Sequence, residues 1–242
     1  MKNRISTLAQ LFILILFPFN FAFANDETIK IGMQLEPPNL NPTSGAAAAI
    51  DEVVYANVFE GLTRFQHDGT VVPSLAKSWT ISSDEKKYTF ELNANIFFHD
   101  GVQMDSADVK FSLDRARSED STNAQKSLFK GITNIKILSS TELEIPLNEP
   151  NGNFITNLAW GDAVILSKNN ISTAESKPIG TGPFIFSKWV KGDRVELEKN
   201  SNYWGEPAKV EHVVFKFISD PTAAFAAMMA GDIDAFPVFP AP

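Results

Sequence analysis

YTFELNANIFFHDGVQMDSADVKFSLDRAR occupies residues 88–117. Tyr88, Phe90 and Leu92 alternate with Thr89 and Glu91, the period of a half-buried strand. Asn93-Ala94-Asn95 interrupts the pattern, Ile96-Phe97-Phe98 resumes it, and Asp100-Gly101 supplies a pair that tolerates positive φ in a tight turn. Asp105 can cap a following helix, with Asp108 three residues on beside its positive end. Ala107, Val109, Phe111 and Leu113 alternate like a strand, whereas Val109, Leu113 and Ala116 follow the helical period. The capping residues decide for helix.

Signals on either side extend this mixture. Thr28 to Met33 reads as a strand, followed by the loop Glu36-Pro37-Pro38-Asn39-Leu40-Asn41-Pro42. Asp51 to Leu62 reads as a helix, with Val54, Val58 and Leu62 four apart and Gly61 near its end. Asp68-Gly69 is a further turn, and Trp79-Thr80-Ile81 begins another strand. Ile135–Ile137 and Leu143–Leu147 alternate and join at Ser139-Ser140 as a hairpin, and a second hairpin runs from Phe184 to Leu197 around Lys191-Gly192-Asp193. Val210 to Ile218 is more continuously apolar and reads as a buried strand. Asp220 caps, Pro221 takes the first helical position, and the helix runs to Gly231, with start and stop signals in agreement. The fold class is therefore α/β in the broad sense (mixed α+β), not a bundle or a sandwich.

The N-terminus has the form of a secretory leader: basic Lys2 and Arg4, the apolar run Leu11 to Phe17, and Ala22-Phe23-Ala24 as a small-x-small cleavage site. Pro18 and Asn20 leave that run short of a membrane span. Cleavage after Ala24 removes two of the 21 basic residues and none of the 29 acidic ones, leaving a net charge of −10. An acidic surface argues against nucleic acid or anionic membrane as partner. The chain has no cysteine, which excludes disulfides, thiol catalysis, Cys-based metal sites and a lipidated N-terminal cysteine. With the leader, this points to a periplasmic protein that is not lipid-anchored.

No catalytic motif stands out. His67, His99 and His212 are scattered without His-x-x-x-His spacing. Asp100, Asp105 and Asp108 lack the alternating oxygen ligands of a calcium loop. Gly180-Thr181-Gly182 has Ile185 where a dinucleotide fingerprint needs its third glycine, and neither a G-x-S-x-G nor a Walker A sequence is present. His99-Asp100 reads as part of a turn, and Trp79 and Phe90 as core aromatics. No cofactor, metal site or enzymatic activity is expected.

The segment at 88–117 resembles the F-x-L…F-H-D-G…A-x-D-V-x-F-S-L run of family 5 extracytoplasmic solute-binding proteins, the oligopeptide-, dipeptide- and nickel-binding receptors of ABC importers. Other motifs follow in family order: Leu40-Asn41-Pro42, Phe59-Glu60-Gly61-Leu62, Pro73-x-Leu75-Ala76-x-Ser78-Trp79, Gly180-Thr181-Gly182-Pro183-Phe184, Asn202-Tyr203-Trp204-Gly205 and Gly231-Asp232-Ile233-Asp234. The resemblance implies a periplasmic binding protein type II-like large lobe, formed by residues 25–50 and 170–242, with residues 51–169 as an inserted small domain. It also implies a second lobe that this length does not supply, so the chain reads as about half a receptor.

The implied function is a periplasmic solute-binding component of an ABC importer, most simply for dipeptides or oligopeptides. It would act as a monomer and deliver its solute to an inner-membrane ABC permease. Nickel- or oligosaccharide-binding members, a non-binding relic or fragment, and a secreted hydrolase are the alternatives. In peptide-binding relatives the stretch after Leu-Asn-Pro lies beside the ligand backbone, which here selects Ser44, Gly45, Ala46 and Ala47 as ligand contacts through strand addition. Trp160 and Asp162 precede the return to the large lobe, and Thr181 lies in the glycine turn; these complete the candidate set. Gly45 and Ala46 read equally well as a helix start or a solvated loop, and Thr181 as a turn cap.

Overall fold

The computed structural model describes residues 27–237, so the expected leader lies outside the described residues. The elements in order are β1 (Thr28–Met33), a 3-10 turn at Pro42–Ser44, α1 (Ala48–Val54), β2 (Thr63–Phe65), β3 (Val71–Pro73), β4 (Ala76–Ile81), β5 (Lys87–Leu92) and α2 (Ser106–Arg117). They continue as β6 (Lys136–Ser139), β7 (Glu142–Pro146), α3 (Phe154–Asn157), β8 (Phe184–Val190), β9 (Arg194–Lys199), β10 (His212–Phe217) and α4 (Pro221–Ala230).

Two four-stranded sheets organise the chain. In the first, ordered β1-β10-β9-β8, β1 runs parallel to β10 and the other neighbours are antiparallel. The register aligns Ile29, Val213, Leu197 and Phe186 in one row and Ile31, Phe215, Val195 and Trp189 in the next. These rows share a hydrophobic cluster with Ile50, Val53 and Phe59 of α1 and the chain after it. In the second sheet, β4-β5-β7-β6, all neighbours are antiparallel. There Phe90 stands opposite Leu143 and Tyr88 opposite Ile145, and Val109, Leu113 and Ala116 of α2 complete the cluster. Fully burying side chains such as Phe90 and Leu143 stabilises by roughly 1.5–3 kcal/mol each. The cluster on the second sheet draws on residues 62–165, and the cluster on the first on residues 33–59, 164, 166 and 184–215.

Within 88–117 the strand at Lys87–Leu92, the turn at Asp100-Gly101 and the helix cap took the expected form. Asp105 accepts from the Ala107 and Asp108 amides, and Asp108 accepts from the Asp105 amide, a complete capping box. Gly101 has φ +82 and donates to Phe98 O. At the other end of the chain, Asp220 caps α4, Pro221 opens it, and Gly231 closes it with φ +75. Beyond α4 the chain returns to β1, where Gly32 N donates to Ala235 O at 2.8 Å.

Three local expectations differ from the structure. The helix read over Asp51–Leu62 stops at Val54: Tyr55 is extended (ψ 130) and Ala56 has φ +58. The reason is tertiary, because the stretch that follows pairs with a distant segment: Val58 O accepts from Gly182 N (3.0 Å) and Asn57 O from Phe184 N (2.9 Å). Ile96–Phe98 forms no strand and makes one isolated bridge, Phe97 to Gln103. The strand within Val210–Ile218 is half-buried, with Val213 and Phe215 buried and His212 exposed, because only one side of β10 faces the cluster.

Candidate functional site

Asn41 builds the first part of the site. Its Oδ1 accepts from Thr43 N (3.0 Å) and Thr43 Oγ1 (2.8 Å), capping the turn at Pro42–Ser44, and its own amide donates to Asn39 Oδ1 (2.8 Å). Arg115 of α2 donates to Thr43 Oγ1 at 2.7 Å, fastening the turn to the helix. Beyond this anchor the chain is extended, with Gly45 at φ −177 and ψ 177 and Ala47 at φ −79 and ψ 114. Ser44, Gly45 and Ala47 are partly exposed and Ala46 is exposed. The backbone N–H and C=O groups of Gly45 and Ala46 make no hydrogen bond among the described residues. Exposed backbone groups in that state are hydrated and available to another extended chain.

The turn Gly161–Ala163 packs against Pro42–Ser44, bringing Asp162 to the anchor of the Ser44–Ala47 stretch. Trp160 precedes the turn, is 48% exposed, and meets Phe65 edge-on at 5.5 Å. Burial raises the Asp162 carboxyl above the usual carboxylate range. Asp51 of α1 is pushed up to about 6, first by burial and then by the charge of Asp162. Its Oδ1 is buried without a hydrogen-bond partner and lies against the backbone of Gly161, where a side chain would collide with it. The Tyr55 hydroxyl donates to Ala159 O beside the same turn.

Thr181 lies apart from this group. It is fully buried, and its hydroxyl donates to Glu60 Oε2 at 2.9 Å. The same carboxylate accepts from Trp204 Nε1 (2.9 Å) and, on Oε1, from the Tyr203 hydroxyl (2.7 Å). Burial raises the Glu60 carboxyl above the usual carboxylate range, and the three donors offset that rise only in part. Thr181 is thus committed to a junction between the stretch at 57–60 and the segment at 180–184. In the sequence Glu60, Tyr203 and Trp204 are marks of kinship only; a separation of more than 140 residues leaves no local signal that they pair. Among the described residues no group of three or more His, Cys, Asp and Glu side chains is placed to hold a metal ion.

A family model described as bacterial extracellular solute-binding proteins, family 5 Middle, matches residues 70–242. The chain belongs to this family. It is 31% identical over 225 residues to the glutathione-binding protein of Pectobacterium atrosepticum, covering 89% of this chain and 42% of that protein. It is 35% identical over 183 residues to the nickel-binding periplasmic protein of Escherichia coli, covering 73% of this chain and 35% of that one. The oligopeptide-binding protein AppA of Bacillus subtilis, solved with a nonapeptide, superposes with a TM-score of 0.80 at 26% identity, over 85% of this chain and 43% of AppA. The chain therefore spans less than half the length of each family 5 relative named here. The fold is the mixed α/β arrangement of periplasmic binding protein type II members, and the matched region corresponds to a lobe of them. Among the described residues no helix is long and apolar enough to cross a membrane.

Proposed function

We propose that this chain contributes the first lobe and small domain of a periplasmic solute receptor that delivers peptides, or a similar small solute, to an inner-membrane ABC permease. In this reading it is a monomeric, non-enzymatic binding protein. The observation that carries the proposal is the Ser44–Ala47 stretch: leaving the turn at Ser44, extended at Gly45 and Ala47, at least partly exposed, anchored at Asn41 and Thr43, and with the donors and acceptors of Gly45 and Ala46 unused. A peptide laid beside it gains main-chain hydrogen bonds that do not depend on its side chains. In this reading Trp160 and Asp162, at the turn that packs against Pro42–Ser44, would meet the solute's side chains or charged terminus. The two hydrophobic clusters support a lobe with an inserted domain, the changeover falling near residues 60 and 165 rather than 50 and 170, since Val53, Val54, Val58 and Phe59 pack in the first-sheet cluster. Family membership supports the binding role over hydrolysis.

Calorimetric titration of the chain with di- to pentapeptides tests the proposal, with glutathione and nickel–histidine as rival solutes. One lobe encloses only part of a ligand, so peptide affinity near millimolar, about −4 kcal/mol, is expected. Ala46→Pro removes one donor and should weaken peptide binding about tenfold while the fold persists. Binding of peptides unaffected by Ala46→Pro, or preference for a non-peptide solute, would overturn the assignment.

A further inference from the structure

His99 does more than occupy a turn. Its backbone N–H donates to Gly180 O at 2.9 Å, its Nε2 meets Gly182 O at 3.0 Å, and Gly180 N approaches its Nδ1 at 3.4 Å. A carbonyl can only accept and an amide can only donate, so the ring must carry its proton on Nε2 and leave Nδ1 free to accept. Neutral imidazole alone meets both ring contacts; the charged ring keeps its Nε2–H bond to Gly182 O but can no longer accept from Gly180 N. Protonation places an N–H on Nδ1 directly opposite the Gly180 N–H, turning an attraction into a donor–donor clash. The segment His99 grips is the one that pairs with the stretch at 57–60. Gly180 and Gly182 lie so close to the backbone of Val58 and Asn57 that no side chain fits, which leaves little room for the segment to shift without breaking those contacts.

We infer that His99 is a pH-sensitive latch, fastening the Phe98–Gly101 turn of the second-sheet unit to the Gly180–Gly182 crossover when neutral and releasing it when protonated.

The surroundings bear on its titration. Burial holds the ring below the ordinary histidine range, opposed by the Gly182 carbonyl and the charge of Asp100. Asp100 faces it from its own turn, exposed and engaged by Val102 N and Asn170 Nδ2. Lys177 faces it from the segment leading into the crossover, and Tyr203 from the loop after β9. Surface cavities of about 470 and 350 Å³ flank the ring and admit water. Because the folded state favours the neutral ring, the latch contributes fully above the unfolded histidine range. Its contribution is lost as pH falls from there through the depressed folded value.

Two measurements on the full chain test this. Imidazole ¹⁵N NMR, assigned with His67→Gln and His212→Gln, should show His99 as the Nε2–H tautomer at pH 7.5, titrating below the ordinary histidine range. The pH dependence of thermal unfolding is best compared in an Asp51→Asn background, because Asp51 titrates with the opposite sign in the same window. Between pH 7.5 and 4.5 the Asp51→Asn protein should lose about 3 °C more than Asp51→Asn/His99→Gln. An Nδ1–H tautomer, a charged ring at pH 7.5, or equal slopes in the two backgrounds would overturn the latch. Should His99→Gln fail to fold, the tautomer and titration of the unsubstituted ring still decide it.

Discussion

Replacing Gly180 with alanine puts one methyl group where the fold has no space for it. The added Cβ would sit on the Val58 carbonyl, 2.7 Å from its carbon and 2.9 Å from Phe59 Cδ1. Ordinary contact begins at 3.4 Å, so the segments at 57–59 and 180–182 must separate by about 0.7 Å, and further where the carbonyl oxygen is met. Neither neighbour is a flexible side-chain tip; one is backbone and the other a fully buried ring. Separation weakens the bonds Gly182 N to Val58 O and His99 N to Gly180 O. Overpacking of this kind costs about 1–3 kcal/mol, and each impaired buried hydrogen bond about 1 kcal/mol more. The expected destabilisation is therefore about 3–5 kcal/mol, a large share of the 5–15 kcal/mol that a folded domain has in reserve. Urea unfolding followed by tryptophan fluorescence measures it. Gly45→Ala is the matched control: Gly45 is extended and its nearest atom, Ile50 Cδ1, would lie 3.8 Å from the new methyl. That change should be neutral or stabilising by about 0.5 kcal/mol through the unfolded chain. A Gly180→Ala midpoint indistinguishable from that of Gly45→Ala would refute the close-packed crossover.

Asp51→Asn should raise stability at pH 7.5 by about 1 kcal/mol, a figure discounted for the partial exposure of the group. The folded carboxyl titrates near 6 and its ordinary value is 3.8, so the contribution of Asp51 to stability rises as pH falls through this window and is absent from the variant. Thermal unfolding at pH 7.5 and 5 reads the difference. Thr181→Val removes a donor to the buried Glu60 carboxylate at nearly constant volume, and chemical denaturation should show a loss of about 1–2 kcal/mol; no loss would mean that Tyr203 and Trp204 suffice. Asp105→Ala removes the capping box of α2 and should cost about 1 kcal/mol, with reduced protection of the Ala107 and Asp108 amides in hydrogen exchange.

Much of the local architecture was legible in the chain, because the residues that decide it are neighbours. Asp105 and Asp108 cap α2 within one turn, Asp220, Pro221 and Gly231 bound α4, and Gly101 and Gly69 sit at positive φ in the turns their Asp-Gly pairs announce. The proposal for Ser44–Ala47 rests on a different ground, the resemblance of the Leu-Asn-Pro motif just before it.

What only the tertiary structure decided lies where the two sheets' clusters meet. The period of Val54, Val58 and Leu62 spoke for a helix through Leu62, but pairing of residues 57 and 58 with the Gly180–Phe184 segment goes with a turn through Ala56 (φ +58) in place of helix after Val54. Glu60 reads as one letter of a family motif until Thr181, Tyr203 and Trp204 converge on it across 121, 143 and 144 residues. His99 reads as a turn residue until Gly182, 83 residues away, supplies the acceptor for its ring. The sequence alone determined where helices and turns begin, because caps and positive-φ glycines act over three or four residues. It could not determine which groups meet at the crossover, because those contacts exist only once both clusters have formed and brought the segments together.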